Sequence, residues 1–247
     1  MSVAVHDDLV CVLNALDGGS VQGYTVTHNH LSALPGSNRS LGLTVPSDST
    51  QFTHTPGQVA FSPGGSQLIV TTKANDNDND VFRVWDSGYL SHAPVVNVEP
   101  GAVPFAVTFD PAGHLVVAEA SATTPALATF SLSWNGTATL IDAVGTGQPA
   151  TCWVAPARGY YFASNAGGPS ESGFSTTHGG QLTLLGQTTT DPGPIDASAS
   201  ADGQFLYVQT GGNGIVDEFH VSWNGTLTAP GSVTVADAAG GEGIVAS

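Results

Sequence analysis

Ser131-Leu132-Ser133-Trp134-Asn135-Gly136-Thr137 returns in near-copy as His220-Val221-Ser222-Trp223-Asn224-Gly225-Thr226, 89 residues further on. That interval holds two periods of about 44 residues, and a more divergent copy, Phe174-Ser175-Thr176-Thr177-His178-Gly179-Gly180-Gln181-Leu182-Thr183, lies between them. Other landmarks keep the same beat. A glycine turn falls at Gly65, Gly113, Gly159 and Gly203, spaced 48, 46 and 44. An aromatic follows at Tyr24, Phe82, Phe130, Phe174 and Phe219, spaced 58, 48, 44 and 45. A turn with leucine comes next at Leu31, Leu90, Leu182 and Leu227, Ala138 being the weaker copy. The wide first interval is absorbed by Pro46-Ser47-Asp48-Ser49-Thr50-Gln51, a loop by composition.

Each unit reads as four short strands. In the second they are Gln58 to Phe61, Gln67 to Thr72, Val81 to Trp85 and Val95 to Val98, rich in β-branched and aromatic residues and bounded by turn residues. No window carries capped apolar positions at i, i+3, i+4 and i+7, so helix is close to absent. Four strands at a period in the mid-forties predict an all-β chain, a β-propeller of four-stranded antiparallel blades. The blades fall at about 2–50, 57–100, 103–146, 149–191 and 194–238 in a single domain, with a closing strand at 242–247. The first strand of each blade lines the channel, and the Phe/Tyr series fills the space between blades.

Composition excludes several functions. Four basic residues against 20 acidic ones, a net charge of −16, leave no clusters for phosphate neutralisation, so nucleic acid is not an expected partner. The same deficit argues against an anionic membrane surface, and no run of 18 apolar residues occurs. The first eight residues, Met1 to Asp8, have neither a basic nor a hydrophobic signal region, and a cytoplasmic location is expected. Cys11 and Cys152 lie in apolar strand-like runs and read as small buried hydrophobes. Two of three glycosylation sequons are Asn-Gly-Thr, better explained as hairpin turns. Asn75-Asp76-Asn77-Asp78-Asn79-Asp80 has the alternating oxygens a hard cation favours, yet it lacks the glycine and distant glutamate of an EF-hand loop. It reads as a solvated acidic loop. No metal site and no cofactor are expected, since the remaining histidines have no ligand spacing and no phosphate-cradling loop is present.

Gln58-Val59-Ala60-Phe61-Ser62-Pro63-Gly64-Gly65, Pro104-Phe105-Ala106-Val107-Thr108-Phe109-Asp110-Pro111 and Val117-Ala118-Glu119-Ala120 resemble the lactonase-type seven-bladed propellers, which include bacterial 6-phosphogluconolactonase and the 3-carboxymuconate lactonising enzymes. The resemblance runs over essentially the whole chain. It implies seven blades where five are counted, as though the N-terminal blades were lacking. Either five blades close on themselves, or open strand edges pair with another chain.

Propeller ligands sit at the channel mouth. By the repeat alignment that mouth carries Asn14, Lys73, Glu119, Asn165 and Thr210 at the ends of second strands, and Gln58, Phe105, Thr151, Asp196 and Gly243 at the starts of first strands. Lys73, the only lysine, can hold a substrate carboxylate or developing oxyanion while Glu119 acts as general base; the plainer reading is a rim salt bridge. Glu119 matches a position where the lactonising branch carries a functional Glu, and is preferred to Glu171 and Glu218, which read as outer-strand residues. The resemblance also implies a His-x-His before the inner strand. Here His54 falls one residue off the first histidine, and Gly57 stands in place of the second. The arginines that grip phosphate in that family have no counterpart, Val103-Pro104 and Asp196 standing in their places. A small uncharged lactone is therefore the expected substrate of a hydrolase or lactone-forming isomerase. The alternative is a non-catalytic propeller that binds a small molecule or protein, or assembles through its edges.

Overall fold

The computed structural model describes residues 2–48 and 50–247; the start at Met1 and the Ser49 part of the first loop lie outside them. The first sheet runs β1 (Ser2–His6), β2 (Leu9–Asn14), β3 (Ser20–Thr27), β4 (His30–Ala33), with β5 (Arg39–Ser40) pairing to the start of β3. One helical turn, α1 (Gln51–His54), precedes the second sheet of β6 (Val59–Phe61), β7 (Gln67–Thr71), β8 (Asp78–Arg83) and β9 (Val95–Val98). The third comprises β10 (Pro104–Phe109), β11 (Leu115–Glu119), β12 (Ala126–Leu132) and β13 (Ala138–Gly145). The fourth comprises β14 (Thr151–Ala157), β15 (Tyr160–Asn165), β16 (Ser170–Thr176) and β17 (Leu182–Thr189). The fifth comprises β18 (Pro194–Ala199), β19 (Phe205–Thr210), β20 (Ile215–Val221) and β21 (Leu227–Thr234). Apart from β5, strands follow chain order within every sheet, the blade pattern that the repeat predicts.

The repeated heptad is the hairpin that ends the third strand. Ser133 N–H donates to Thr137 O at 2.9 Å and Gly136 N–H to Ser133 O at 3.0 Å, with Gly136 at φ +92°. The same bonds join Ser222 to Thr226 and Gly225 to Ser222, with Gly225 at φ +81°. Asn135 and Asn224 are not left-handed, so this is a type I turn closed by a left-handed glycine rather than the mirror-image two-residue turn. The divergent copy builds it from Thr177, Gly180 and Gln181. A further copy that the sequence hides is Trp85-Asp86-Ser87-Gly88-Tyr89. The periodic turns at Gly65, Gly113, Gly159 and Gly203 are all left-handed too, at φ between +66° and +90°.

The chain divides into two compact units. One contains Met1–Phe109, Gly113–Leu115 and Ser131–Thr139; the other contains Asp110–Ala112, Val116–Phe130 and Leu140–Ser247. In the first, Cys11, Leu13, Val21, Leu68, Val70 and Phe82 form a buried cluster. In the second, Phe162, Leu206, Val208, Phe219 and Val221 do the same. Phe82, Phe130, Phe174 and Phe219 are all buried, as expected of inter-blade aromatics; burying such a side chain stabilises by about 1.5–3 kcal/mol. Cys11 and Cys152 are buried and form no disulfide. Among the described residues no helix is long and apolar enough to cross a membrane.

Two expectations change. Asp78 to Asp80 belong to β8, and Asp78, Asn79 and Asp80 are buried rather than solvated. A Thr72 hydroxyl donates to Asp78 at 2.6 Å, while burial and then the neighbouring Asp78 and Asp76 push the Asp80 carboxyl up to about 7. The closing strand at 242–247 joins no backbone ladder. Ile244 N–H donates instead to Asp196 Oδ2 and Ala246 N–H to Ser198 Oγ, both at 3.1 Å. Successive inner strands are tied in the same way, by Val59 N–H to Ser2 Oγ at 3.3 Å and Val107 N–H to Gln58 Oε1 at 2.6 Å. The partners stand 57, 49, 48 and 48 residues apart, one blade each. The segment thus takes the position of a following inner strand, and neighbouring blades meet through side chains, so no ladder forms.

Candidate functional site

In the first unit Lys73, Asn75 and His54 come together around α1. Lys73 Nζ donates to Phe52 O at 2.6 Å and to Thr55 Oγ1 at 3.3 Å, and stands 4.5 Å from the centre of the Phe105 ring. Asn75 Nδ2 donates to His54 O at 2.7 Å, and Ala74 N–H to Thr53 O at 2.9 Å. The segment 73–75 therefore clamps the helical turn whose last residue is His54. His54 Nδ1 lies 3.0 Å from Thr50 O, which can only accept, while the Thr53 hydroxyl donates its own proton to that carbonyl at 2.9 Å. With its hydrogen on Nδ1 the ring donates to Thr50 O and presents the lone pair at Nε2; in the other tautomer Nδ1 accepts from the Thr53 hydroxyl at 3.1 Å.

The backbone of this corner is strained. Lys73, Asn77 and Val103 are left-handed at φ +56°, +55° and +57°. They are linked by Asn77 N–H to Lys73 O at 3.0 Å, Val103 N–H to Asn77 Oδ1 at 3.2 Å and Lys73 N–H to Pro104 O at 3.2 Å. A left-handed L-residue costs about 1–2 kcal/mol, and a β-branched one is an outlier. Val103→Gly is accordingly expected to raise the melting temperature by about 2–4 °C, a net gain of about 1 kcal/mol, measured by thermal unfolding.

Gln58 and Asn14 do not present free side chains to a ligand. Gln58 Oε1 accepts from Val107 N–H, tying β6 to β10, and Asn14 Nδ2 donates to Ser20 Oγ at 3.3 Å. Gly57 is enclosed. A Cβ there would stand 2.4 Å from Thr71 Oγ1 and 2.6 Å from Phe105 O, so no side chain fits at the place where the resemblance implies a second histidine.

In the second unit Glu119 ends β11 and is buried. Asn165 is fully buried as a hub. Its Oδ1 accepts from Thr151 Oγ1 at 2.8 Å, and its Nδ2 donates to Ser170 O at 3.1 Å, Ser170 Oγ at 3.1 Å and Ser172 Oγ at 3.0 Å. Thr210 Oγ1 donates to Ile215 O at 2.8 Å. Burial pushes the Asp196 carboxyl up to about 6, partly offset by the donor Ile244 N–H; Glu242 adds repulsion. The residue that sequence reasoning missed is Glu171. It lies on β16, the third strand of its blade, and is fully buried with neither carboxylate oxygen in a hydrogen bond of normal geometry. Its flanking serines and glycine carry no apolar alternation, so the sequence gives no sign of that burial.

Arg39 and Arg158 are held by backbone carbonyls, and Arg83 and Arg158 lie over tryptophan rings. Arg39 donates to Leu90 O and Ser91 O at 2.8 Å each. Arg83 stacks 4.1 Å from the Trp85 ring, and Arg158 stacks 3.8 Å from Trp223 while donating to Val221 O at 2.7 Å. Arg83 and Arg158 lie toward the hairpin ends of their blades, away from the strand ends that carry Lys73 and Asn165. A cleft of about 380 Å³ in the first unit, lined by His6, Asp7, Asp8, Trp85 and Asp86, likewise opens at the turn end of these strands and contains none of the sequence-predicted residues. Among the described residues no group of three His, Cys, Asp or Glu side chains gathers as a metal site.

No family model matches the sequence, and no curated protein does. Solved structures do match. A candidate 6-phosphogluconolactonase from Bacteroides uniformis superposes with a TM-score of 0.78 at 18% identity, over 94% of this chain and 70% of that one. The periplasmic gluconolactonase of Pseudomonas aeruginosa gives 0.74 at 18%, over 95% and 70%. A protein from Lactobacillus plantarum gives 0.77 at 16%, over 94% and 70%. This chain has the lactonase-type propeller fold. At these identities the likeness is one of fold alone.

Proposed function

We propose that the chain is a lactonase-like hydrolase acting on a small uncharged lactone at the Lys73–His54–Phe105 corner. The observation that carries this reading is the strained, cross-braced backbone around Lys73, Asn77 and Val103, because such strain concentrates where side chains are held for chemistry. Likeness to a gluconolactonase fold supports the substrate class, and the engagement of all three arginines supports an uncharged rather than a phosphorylated lactone. In the reaction, His54 Nε2 takes a proton from water as the water oxygen bonds to the lactone carbonyl carbon. The Lys73 ammonium opposes the developing negative charge on the carbonyl oxygen. Collapse breaks the ring C–O bond, and the departing alkoxide takes the proton back from His54, giving a hydroxy acid.

The test is turnover of a panel of neutral and phosphorylated sugar lactones. Neutral lactones are expected to be hydrolysed above the buffer rate, with kcat lowered about 100-fold or more in His54→Gln. Full activity in that variant would remove His54 from the chemistry, and equal turnover of a 6-phospholactone would overturn the charge argument. Glu119→Gln is assayed in parallel; a comparable fall would assign proton transfer to Glu119. Binding of lactones without turnover by the wild type would leave the non-catalytic binding module as the function.

A further inference from the structure

Glu171 is used by no step above, and its surroundings ask for an explanation. On β15 and β16 it sits directly across from Ser164, and the two share the sheet face of Phe162, whose ring packs with Ala197, Leu206, Phe219 and Val221 of the fifth blade. Glu171 therefore points into the seam between the fourth and fifth blades, both within the second unit. Glu171 and Ser164 are fully buried, and neither the two carboxyl oxygens nor the Ser164 hydroxyl makes a hydrogen bond of normal geometry, although that hydroxyl lies close enough to favour the charged form in part. The charge that acts on it from β20 is the Asp217 carboxylate, two residues before Phe219 on the same face. Behind Asp217 stands Asp191, whose backbone N–H donates to Asp217 Oδ2 at 2.8 Å and whose carboxylate repels it. From β15 and β17 the facing side chains are Ser164 and Thr188, neither of which titrates near neutrality. A bare carboxylate in that setting would be desolvated, unpaired and faced by like charge.

We propose that Glu171 is a proton lock in the seam between the fourth and fifth blades: the folded chain keeps one proton on it at neutral pH, and loss of that proton in alkali loosens the seam. Burial pushes the carboxyl from its ordinary value up to about 8, the Ser164 hydroxyl offsetting part of the rise and Asp217 adding to it. The unfolded chain releases this proton near the ordinary glutamate value. Stability from the group is therefore complete in acid, declines as the pH rises toward 8, and is lost above it.

The experiment compares wild type with Glu171→Gln, which keeps the shape and holds no titrating proton. The wild-type melting temperature is expected to fall by about 5–10 °C more than that of the variant between pH 5 and pH 9. The infrared carbonyl stretch of a protonated carboxyl, present in wild type at pH 7 and gone by pH 9.5, should diminish in the variant. Parallel melting profiles in the two proteins would overturn the proposal, as would an undiminished band. Asp217→Asn gives a second arm: removing the facing charge should move the disappearance of the band to higher stability of the anion, that is, to lower pH. An unmoved midpoint would also count against the lock.

Discussion

Gly57→Ala is expected to lower the melting temperature by about 10 °C. The added Cβ would meet the Thr71 hydroxyl at 2.4 Å and the Phe105 carbonyl oxygen at 2.6 Å. Those two groups are themselves bonded, Thr71 Oγ1 donating to Phe105 O at 2.6 Å and accepting from Gln58 N–H at 2.9 Å. Gly57 N–H also donates to Thr71 O at 2.8 Å. A side chain must displace backbone as well as a hydroxyl, so the cost is about 3 kcal/mol or more, at roughly 2–4 °C for each in a chain of this size. Thr71→Ala in the Gly57→Ala background separates the two obstacles. It should fail to restore stability, because the Phe105 carbonyl remains in place. Thermal unfolding that showed Gly57→Ala within 2 °C of wild type, an estimate of ordinary surface tolerance, would contradict the enclosed geometry.

Asn165→Leu should cost about 3–5 kcal/mol, or roughly 10–15 °C in melting temperature. Leucine matches the volume but leaves the Ser170 carbonyl and the Ser170 and Ser172 hydroxyls without the amide that serves them. The loss also cuts a relay, since Thr151 Oγ1 bonds both Asn165 Oδ1 and Thr146 Oγ1 at 2.8 Å. Buried networks lose more than one bond's worth when their centre is removed. Ser172→Ala, which deletes one of the four contacts, is the control and should cost about 1 kcal/mol. Equal losses in the two variants would show that Asn165 is no hub.

These predictions separate what could be read along the chain from what could not. Gly136, Gly225 and the glycines at 65, 113, 159 and 203 announce hairpins because glycine takes a left-handed backbone position at the least cost. The copy at Trp85–Tyr89 escaped because its side chains differ while its backbone bonds do not. Lys73 and Phe105 were singled out by position in the repeat and His54 by the resemblance; Lys73 reaches both the α1 backbone at Phe52 and the Phe105 ring. Gln58 and Asn165 were singled out by the same alignment, but a side-chain amide serves equally well to receive a ligand or to brace a neighbouring strand. The acidic run at 75–80 read as solvated because composition reports polarity and is silent on which strand the residues enter.

By itself the sequence determined the architecture: a repeat of strand-length segments separated by turn residues allows each blade to be recognised from local signals alone, since hairpin geometry depends on neighbours a few residues away. Only the tertiary structure decided the environments. Whether Glu171 is a solvated outer-strand acid or a buried one in a seam depends on what the fifth blade, some 45 residues downstream by the repeat, lays against it. Whether Gly57 leaves room for a histidine depends on a carbonyl in the next blade. Desolvation and steric closure are set by atoms distant in the chain, and no local pattern encodes them.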